Sequence, residues 1–496
     1  MNPLFLTDSY KLSHKGFMTE GTESIYSNMT PRSSKYLPVN HEDFDDKIVW
    51  FGLQAVLKQM HNLWDKEFFS RNKEEVLAET KRLFDAYLGV GAVGMDHFAE
   101  LHDLGYLPIQ VKSLPEGSRV DIKVPFFTIR NTDNRFAWLT NYLETYLSAQ
   151  LWKPATVATI IREYRKLTND WATKTTGSTD GTQFQIHGFE FRGMSGWEDA
   201  AACAAGFLLS SNGTDTIPAL PYLEKYYGVD ITKEFIATSV PASEHSLAST
   251  GIAVNGELET YRKWITQDYP TGIVSIIADT LDFFRVVTEF ATELKDDILN
   301  RQVNEIGLAK VVFRPDSGCP VKVLCGDIDA PKGSPEYKGA VECLWEVFGG
   351  TENELGFKHL HERVGLIYGD SITLERAKEI FKRLASKGFA STNVVFGVGS
   401  FTSQYLSRDS AGMAVKATAA IVDGKLYELS KDPKTDDGMK KSAKGLLRVE
   451  KEGNNFILHD QQSFEQEQEG LLEVVYSSGN FYKEETFSTI RDRLWS

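Results

Sequence analysis

Cysteine is scarce in this chain. Its 496 residues hold four, Cys203, Cys319, Cys325 and Cys343, and no two form a C-x-x-C pair. That spacing argues against a disulfide framework and against a zinc site of the C-x-x-C kind, and it fits a reducing cytosol. Positive charge is also short: 54 Lys and Arg stand against 69 Asp and Glu, a net charge of −15. This balance argues against a broad nucleic-acid-binding surface but leaves room for a local basic pocket that takes a small anion. No apolar run approaches the roughly 18 residues that a membrane span needs. The stretch Met1 to Asp8 lacks the basic start and apolar core of a secretory signal. No repeat, low-complexity tract or Walker A sequence is present, which disfavours P-loop chemistry. These absences together predict a cytoplasmic protein that binds neither membrane nor nucleic acid.

What is present is an ordinary globular composition, 42% hydrophobic and 25% charged, with length enough for two or three domains and a large core. Residues 1–45 are turn-rich, with polar segments around Asp8–Lys11 and Thr30–Lys35. Residues 48–88 read as helix and 107–129 as strands. Trp138, Tyr142, Leu143, Tyr146, Leu147 and Leu151 form one broad apolar stripe, which predicts a helix facing the core or a subunit interface. Pro154 opens a second helix over roughly 155–175.

From about residue 182 the texture alternates. Apolar runs at 184–187, 236–240, 274–279, 310–313, 364–368 and 394–398 read as strands, and helical periodicity lies between them. Ser195-x-x-Glu198 has the form of a capping box before an Ala-rich helix. Leu281, Phe284, Val287, Phe290 and Leu294 mark another helix. Leu374, Ala377, Ile380, Phe381 and Leu384 mark a third, which stops at Gly388. Continuous apolar strands alternating with helices predict a parallel sheet buried on both faces. The expected fold is α/β, an irregular parallel α/β barrel over 181–409. A second, α+β domain is expected from 1–180 together with 410–496, and it would contribute to a dimer. The tail also holds the highly charged segment Lys431 to Gly445.

In such sheets the site lies at the carboxyl ends of the strands. Five runs end in His245, Asp279, Arg314 with Asp316, Asp370, and the loop Gly397–Ser400. The stretch Ser239-Val240-Pro241-Ala242-Ser243-Glu244-His245-Ser246 reads as the end of a buried strand and a turn, with carboxylate and imidazole side by side. Gly397-Val398-Gly399-Ser400 before a helix offers amides to a phosphate. Arg192, Arg314 and Arg408 would clamp phosphate oxygens. Asp279, Asp316 and Asp370 suit either Mg²⁺ through water or ribose hydroxyls, and Phe189 suits stacking on a planar ring. Taken together these groups suit a sugar phosphate and an aromatic partner.

Thr7–Lys11, Gly188–Gly193, Gly213–Thr216, Ser239–Ser246, Arg314–Gly318 and Gly369-Asp370 resemble, in the same order along the chain, the nicotinamide phosphoribosyltransferases of the type II phosphoribosyltransferase family. Two departures stand out: Ser400 where that family usually has Gly, and Ser243 where it has a second Ala, the latter expected to be neutral. The resemblance implies transfer of phosphoribose from phosphoribosyl pyrophosphate to nicotinamide, with Mg²⁺. It also implies a homodimer with shared active sites, and ATP hydrolysis coupled through a phosphorylated His245. It implies that Phe189 and the partner's copy of Tyr10 sandwich the base and that Asp215 takes the carboxamide. Arg314 and Asp316 would hold base and ribose, and Gly369, Asp370, Ser400 and Arg408 would surround ribose and phosphate. Arg32 would reach the phosphates, and Asp8, Arg192 and Ser275 complete the substrate-binding set, with Asp279 and Asp316 beside His245 in the catalytic one. No direct metal ligand is assigned. A nicotinate phosphoribosyltransferase, a non-catalytic nucleotide-binding or signalling protein, and an aldolase-type barrel remain alternatives. Asp215 speaks against the first, the set of His245, Arg314 and Asp316 against the second, and the lack of a strand-end Lys against the third.

Overall fold

A computed structural model describes residues 1–39, 43–430 and 442–496. Most of the charged stretch from Lys431 to Gly445 therefore lies outside the described residues. The chain divides into two compact units, one of 1–159, 219–234 and 406–496, the other of 160–218 and 235–405. Relative to the expected segments, 160–180 falls with the second unit and 219–234 with the first.

The first unit is built on a seven-stranded antiparallel sheet that interleaves both ends of the chain. Its order is Lys425–Glu428, Ala414–Val422, Thr22–Thr30, Phe127–Asn131, Ile109–Ser113, Glu473–Ser477 and Asn480–Phe481. The apolar stripe packs inside this unit: Trp138, Tyr142 and Leu147 are buried, and the Tyr142 hydroxyl donates to Leu4 O at 2.6 Å. They are not available to an interface. The predicted break at Pro154 is absent. One helix runs from Glu144 to Thr176 with Pro154 inside it, and the break falls at Leu143 instead. Proline removes one helical hydrogen bond, but Ala155, Val157, Ala158, Ile160 and Ile161 are all buried, and their packing holds the helix together.

In the second unit six parallel strands pair in the order Gly213–Thr214, Ile186–Phe189, Val394–Gly399, Val364–Tyr368, Ala309–Arg314 and Gly272–Ile277. The sheet is curled. Its two edges meet through the segment that the sequence suggested was a strand. Residues 236–243 are extended rather than a regular strand, with single parallel bridges from Thr238 to Gly213 and from Ala242 to Ser275. Thr238 N donates to Asn212 O at 2.8 Å on one side, and Ser275 N to Pro241 O at 2.9 Å on the other. Ser243 adds a side-chain bond, accepting from Ile277 N at 2.8 Å. The residue expected to be neutral thus helps close the barrel, which explains why this short stretch is central to the fold.

Elsewhere in the helices one signal holds in full and two more depart from expectation. Leu374–Ser386 buries the five residues of its stripe, is capped by the Thr373 side chain, and ends in a reversal at Gly388, whose φ is +75°. By contrast, Ser195 does not cap the Ala-rich helix. That helix spans Trp197–Phe207 behind Gly196, and the Asp199 carboxylate accepts from Ser195 N instead. Leu281 is exposed, because the helical run begins two residues later under an Asp282 cap.

Candidate active site

Because the barrel strands are parallel, their carboxyl ends share one end of the sheet. Phe189, Asp215, Ser243 to His245, Asp279, Arg314 to Asp316, Gly369, Asp370 and Ser400 all follow or end a strand or the closing segment there. The structure therefore brings the second-unit site residues together as a set.

The Phe189 ring lies over the backbone of two neighbouring strands. A β-carbon on Gly397 would come within 2.4 Å of the ring, and one on Gly369 within 3.4 Å. The absent side chains at 397 and 369 are what give the ring its seat. His187, two residues earlier on the same face of the strand, sits with its ring 5.0 Å from Phe189. Its Nε2 meets Asp215 Oδ1 at 2.8 Å, and Ser239 Oγ donates to the same oxygen at 2.5 Å. Burial pushes the Asp215 carboxyl up, but the His187 and Ser239 bonds and the charges of His187 and Arg314 outweigh it and hold the group below the usual carboxylate range. Arg314 is itself fixed, Nη2 donating to Ser243 O at 2.5 Å.

A second network surrounds His245. This residue opens the helix His245–Asn255, and its Nε2 lies 3.0 Å from Asp279 Oδ1. The imidazole is half-exposed, whereas the Asp279 side chain is only 3% exposed. Asp279 Oδ2 accepts from Asp316 N at 2.8 Å and from Ser317 Oγ at 2.6 Å. Tyr368 braces the same loop, its hydroxyl donating to Ser317 O at 2.7 Å. Asp279 thus orients both His245 and the 316–317 turn, with both carboxyl oxygens engaged.

Beyond the Gly397–Ser400 loop the helix is a single turn, Phe401–Gln404, so its dipole would add little to anion binding. Ser400 instead packs against Gly193, where a β-carbon would lie 1.9 Å from Ser400 Oγ. Gln404 ties the two loops further, Nε2 donating to Gly193 O at 2.9 Å. Arg192 and Asp370 are exposed beside this region. Ser371, next to Asp370, has φ of +51°, a strained conformation for a non-glycine residue. Ser275 is buried in its strand with an unpartnered hydroxyl.

Four predicted residues, Asp8, Tyr10, Arg32 and Arg408, belong to the first unit. Tyr10 is 61% exposed on a firmly tied segment. Asp8 Oδ2 accepts from Thr145 Oγ1 at 2.7 Å, and buried Lys11 pairs with Glu144 at 2.7 Å. Arg32 Nε donates to Gly412 O at 2.7 Å, and Arg408 is exposed.

Sequence reasoning gave no individual role to His187, Ser239, Tyr368 or Glu190, although Ser239 and Glu190 lie within motifs it singled out. The period-2 relation of His187 to Phe189 was a usable signal for the first. For Ser239 and Tyr368 nothing local pointed inward, because their roles arise from contacts distant in sequence. Among the described residues no three His, Cys, Asp or Glu side chains converge as a metal cage, and no helix is long and apolar enough to cross a membrane.

Comparison with known proteins gives a consistent result. Residues 184–475 match the model of the nicotinate phosphoribosyltransferase family, and residues 2–111 match that of the nicotinamide phosphoribosyltransferase N-terminal domain. The nicotinamide phosphoribosyltransferase of Acinetobacter baylyi is 53% identical over 100% of this chain and 97% of its own length. The protein of that name from Xanthomonas campestris is 31% identical over 99% of this chain and 97% of its own. Among solved structures, human nicotinic acid phosphoribosyltransferase aligns with a TM-score of 0.55 at 14% identity, covering 99% of this chain and 93% of that one, which shows a shared fold.

Proposed function

The chain belongs to the nicotinate phosphoribosyltransferase family, and we propose that it joins nicotinamide to phosphoribosyl pyrophosphate, giving nicotinamide mononucleotide and pyrophosphate in NAD salvage. One observation carries the choice of base: the Asp215 carboxylate, fixed by His187 and Ser239 beside the Phe189 ring. A carboxylate accepts an N–H from a carboxamide and repels the carboxylate of nicotinate, so it discriminates by attraction and repulsion together.

The chemistry asks for little more than alignment. The lone pair of the pyridine nitrogen forms the bond to C1 of the ribose while the bond from C1 to the pyrophosphate oxygen breaks, and its electron pair leaves with pyrophosphate. No proton moves, so a general base is not needed. Alignment and stabilisation of the departing anion supply the rate. In this reading Arg314 and Asp316 hold base and ribose. Gly369, Asp370, Ser400 and Arg408 surround ribose and phosphate, and Arg192 and Arg32 reach phosphate oxygens. Mg²⁺ accompanies pyrophosphate groups through one or two carboxylates and several waters. Asp316 and exposed Asp370, each at a strand end, fit that need better than Asp279, whose oxygens already serve His245 and the 316–317 turn. When bound, the ion would neutralise charge on the leaving group.

Coupling to ATP is part of the same proposal. Asp279 can only accept, so the proton of His245 sits on Nε2 and the lone pair on Nδ1. That pair would form the nitrogen–phosphorus bond as the bond from the γ-phosphorus to the ADP oxygen breaks, and water would later release phosphate. The active site would be shared within a homodimer, with the exposed Tyr10 of each chain offered to its partner. The scarcity of cysteine, four in 496 residues, fits a cytosolic setting.

The test is a product assay with phosphoribosyl pyrophosphate and either base. Nicotinamide mononucleotide is expected, with nicotinate a poor substrate. Equal or better turnover of nicotinate overturns the choice of base. Release of pyrophosphate with neither base overturns the enzyme reading in favour of a nucleotide-binding or signalling role.

A further inference from the structure

Glu190 takes no part in the reaction as described, yet it is nearly fully buried, and neither of its carboxyl oxygens has a hydrogen-bond partner. Buried polar groups are almost always bonded, so an orphaned carboxyl calls for a reason. Its side chain folds back over Gly188, where a β-carbon would lie 2.7 Å from Glu190 Oε2 and 3.0 Å from Thr214 Oγ1. Gly188 and Thr214 are direct partners on adjacent strands. The carboxyl therefore lies between the strand that carries Phe189 and the strand that leads to Asp215. The Thr216 hydroxyl and the backbone of Glu190 itself lie close enough to favour its charged form in part, but neither closes a bond of ordinary geometry to the carboxyl.

We propose that Glu190 is a second specificity-determining carboxyl, seated behind Asp215, which holds a proton in acid solution and on losing it sharpens the rejection of anionic pyridine bases. This rests on the nicotinamide reading above. Burial, with the charge of Asp215 as a smaller contribution, raises the Glu190 carboxyl to about 7. The charged and titratable groups at this corner are Asp215 after its strand, His187 on the neighbouring strand and Arg314 at its strand end. The Asp215 carboxyl lies below its usual range and so stays ionised across neutral pH. A second negative charge appearing beside it changes the energy of an anionic ligand far more than that of a neutral one of the same shape. At the effective dielectric of a partly buried site, the change is worth about a tenfold shift in selectivity.

The experiment measures KM for nicotinamide and the inhibition constant for nicotinate at pH 6 and pH 8.5, in wild type and in Glu190→Gln. Alongside, wild-type minus variant infrared difference spectra report the stretch of a protonated carboxyl. The preference of wild type for nicotinamide over nicotinate is expected to rise about tenfold with pH. The variant should show a flat ratio, and the protonated-carboxyl band should be present at pH 6 and lost at pH 8.5. A flat ratio in wild type, a variant that tracks wild type, or absence of the band at pH 6 overturns the proposal. Failure of wild type to turn over nicotinamide would instead overturn the functional reading, and the infrared band would still decide the proton at Glu190.

Discussion

His187 Nε2 and Asp215 Oδ1 meet at 2.8 Å across adjacent barrel strands. The contact depends on Gly213, since a β-carbon there would come within 2.6 Å of His187 Nδ1. An imidazole thus anchors the carboxylate proposed to read the base, and it leaves Asp215 half-exposed. Replacing Asp215 by Ser removes both the acceptor and the repulsion. The preference for nicotinamide over nicotinate is expected to fall by about 10- to 100-fold, the range that a hydrogen-bonding contact commands. The ratio of kcat/KM for the two bases checks it, and an unchanged ratio would refute the role.

Gly397 offers an independent handle on the Phe189 platform. Gly397→Ala places a methyl 2.4 Å from the ring and 2.9 Å from the Gly369 Cα, closer than real contacts allow. The backbone on the Gly369 side cannot yield, so the ring must move. Overpacking of this kind costs about 1–3 kcal/mol. KM for the base is expected to rise about tenfold or more, with KM for phosphoribosyl pyrophosphate changed far less. Equal changes in both constants would show that the ring does not stack the base.

His245→Ala is expected to abolish ATP hydrolysis and leave nicotinamide binding intact, because Phe189 and Asp215 do not depend on it. Asp279→Asn should differ. It disturbs His245 together with the 316–317 turn held by Oδ2, so it should lower the basal transfer reaction as well. Radiolabelled phosphate retained on the protein, and calorimetric binding of nicotinamide, separate the two. Normal ATP hydrolysis by His245→Ala sinks the phosphohistidine reading.

The barrel was legible in the sequence because parallel strands buried on both faces leave unbroken apolar runs, such as Val364–Tyr368 and Val394–Val398. The strand ends could be read in the same way, and they delivered His245, Asp279, Arg314, Asp316 and Asp370 to one end. What stayed hidden was set by contacts between distant segments. Ser243 serves Ile277, Asp279 serves Ser317, and Ser239 serves Asp215, and no periodicity announces any of these. The Tyr142 stripe was read correctly as apolar, and the structure decides for the core over the interface, since a pattern gives the face of a helix and not what covers it. Pro154 failed as a breaker because tertiary burial outweighed one lost hydrogen bond.

Glu190 also carries a stability prediction with a definite sign. Its carboxyl titrates at about 7 in the folded protein against an ordinary 4.5. The folded state therefore holds the proton more tightly than the unfolded one. The resulting stabilisation is complete below about pH 4.5 and is lost as the pH rises to about 7. Gln at this position does not titrate. The stability of Glu190→Gln relative to wild type is expected to rise by about 3 kcal/mol between pH 4.5 and 8. Denaturant unfolding of both proteins across that range measures it, and a constant difference would contradict a buried protonated Glu190.

The proposal that two chains share the active site rests on how Tyr10 is presented. Its neighbours are locked, with Thr7 donating to Tyr142 O at 2.9 Å, Asp8 bonded to Thr145 and buried Lys11 paired with Glu144, while its own ring stands in solvent. A firmly anchored segment with its aromatic ring exposed is what supports the proposed contact with a second chain. Phe17 and Tyr36, 85% and 61% exposed in the same unit, add apolar surface that a dimer interface would cover. Trp138, Tyr142 and Leu147 cannot, because they are already buried. A Tyr over the open face of a pyridine adds on the order of 1 kcal/mol of stacking, so Tyr10→Ala should raise KM for the base about fivefold. Mixing supplies the stronger test. Tyr10→Ala and His245→Ala homodimers are each impaired, for different reasons. After subunit exchange, one site of each hybrid would hold Tyr10 from one chain and His245 from the other. ATP-coupled turnover should then recover toward a quarter of wild type, since about half the dimers are hybrids and each has one intact site. Verified exchange without any recovery, or full activity in a species that sediments as a monomer, would place Tyr10 and His245 of a working site in the same chain.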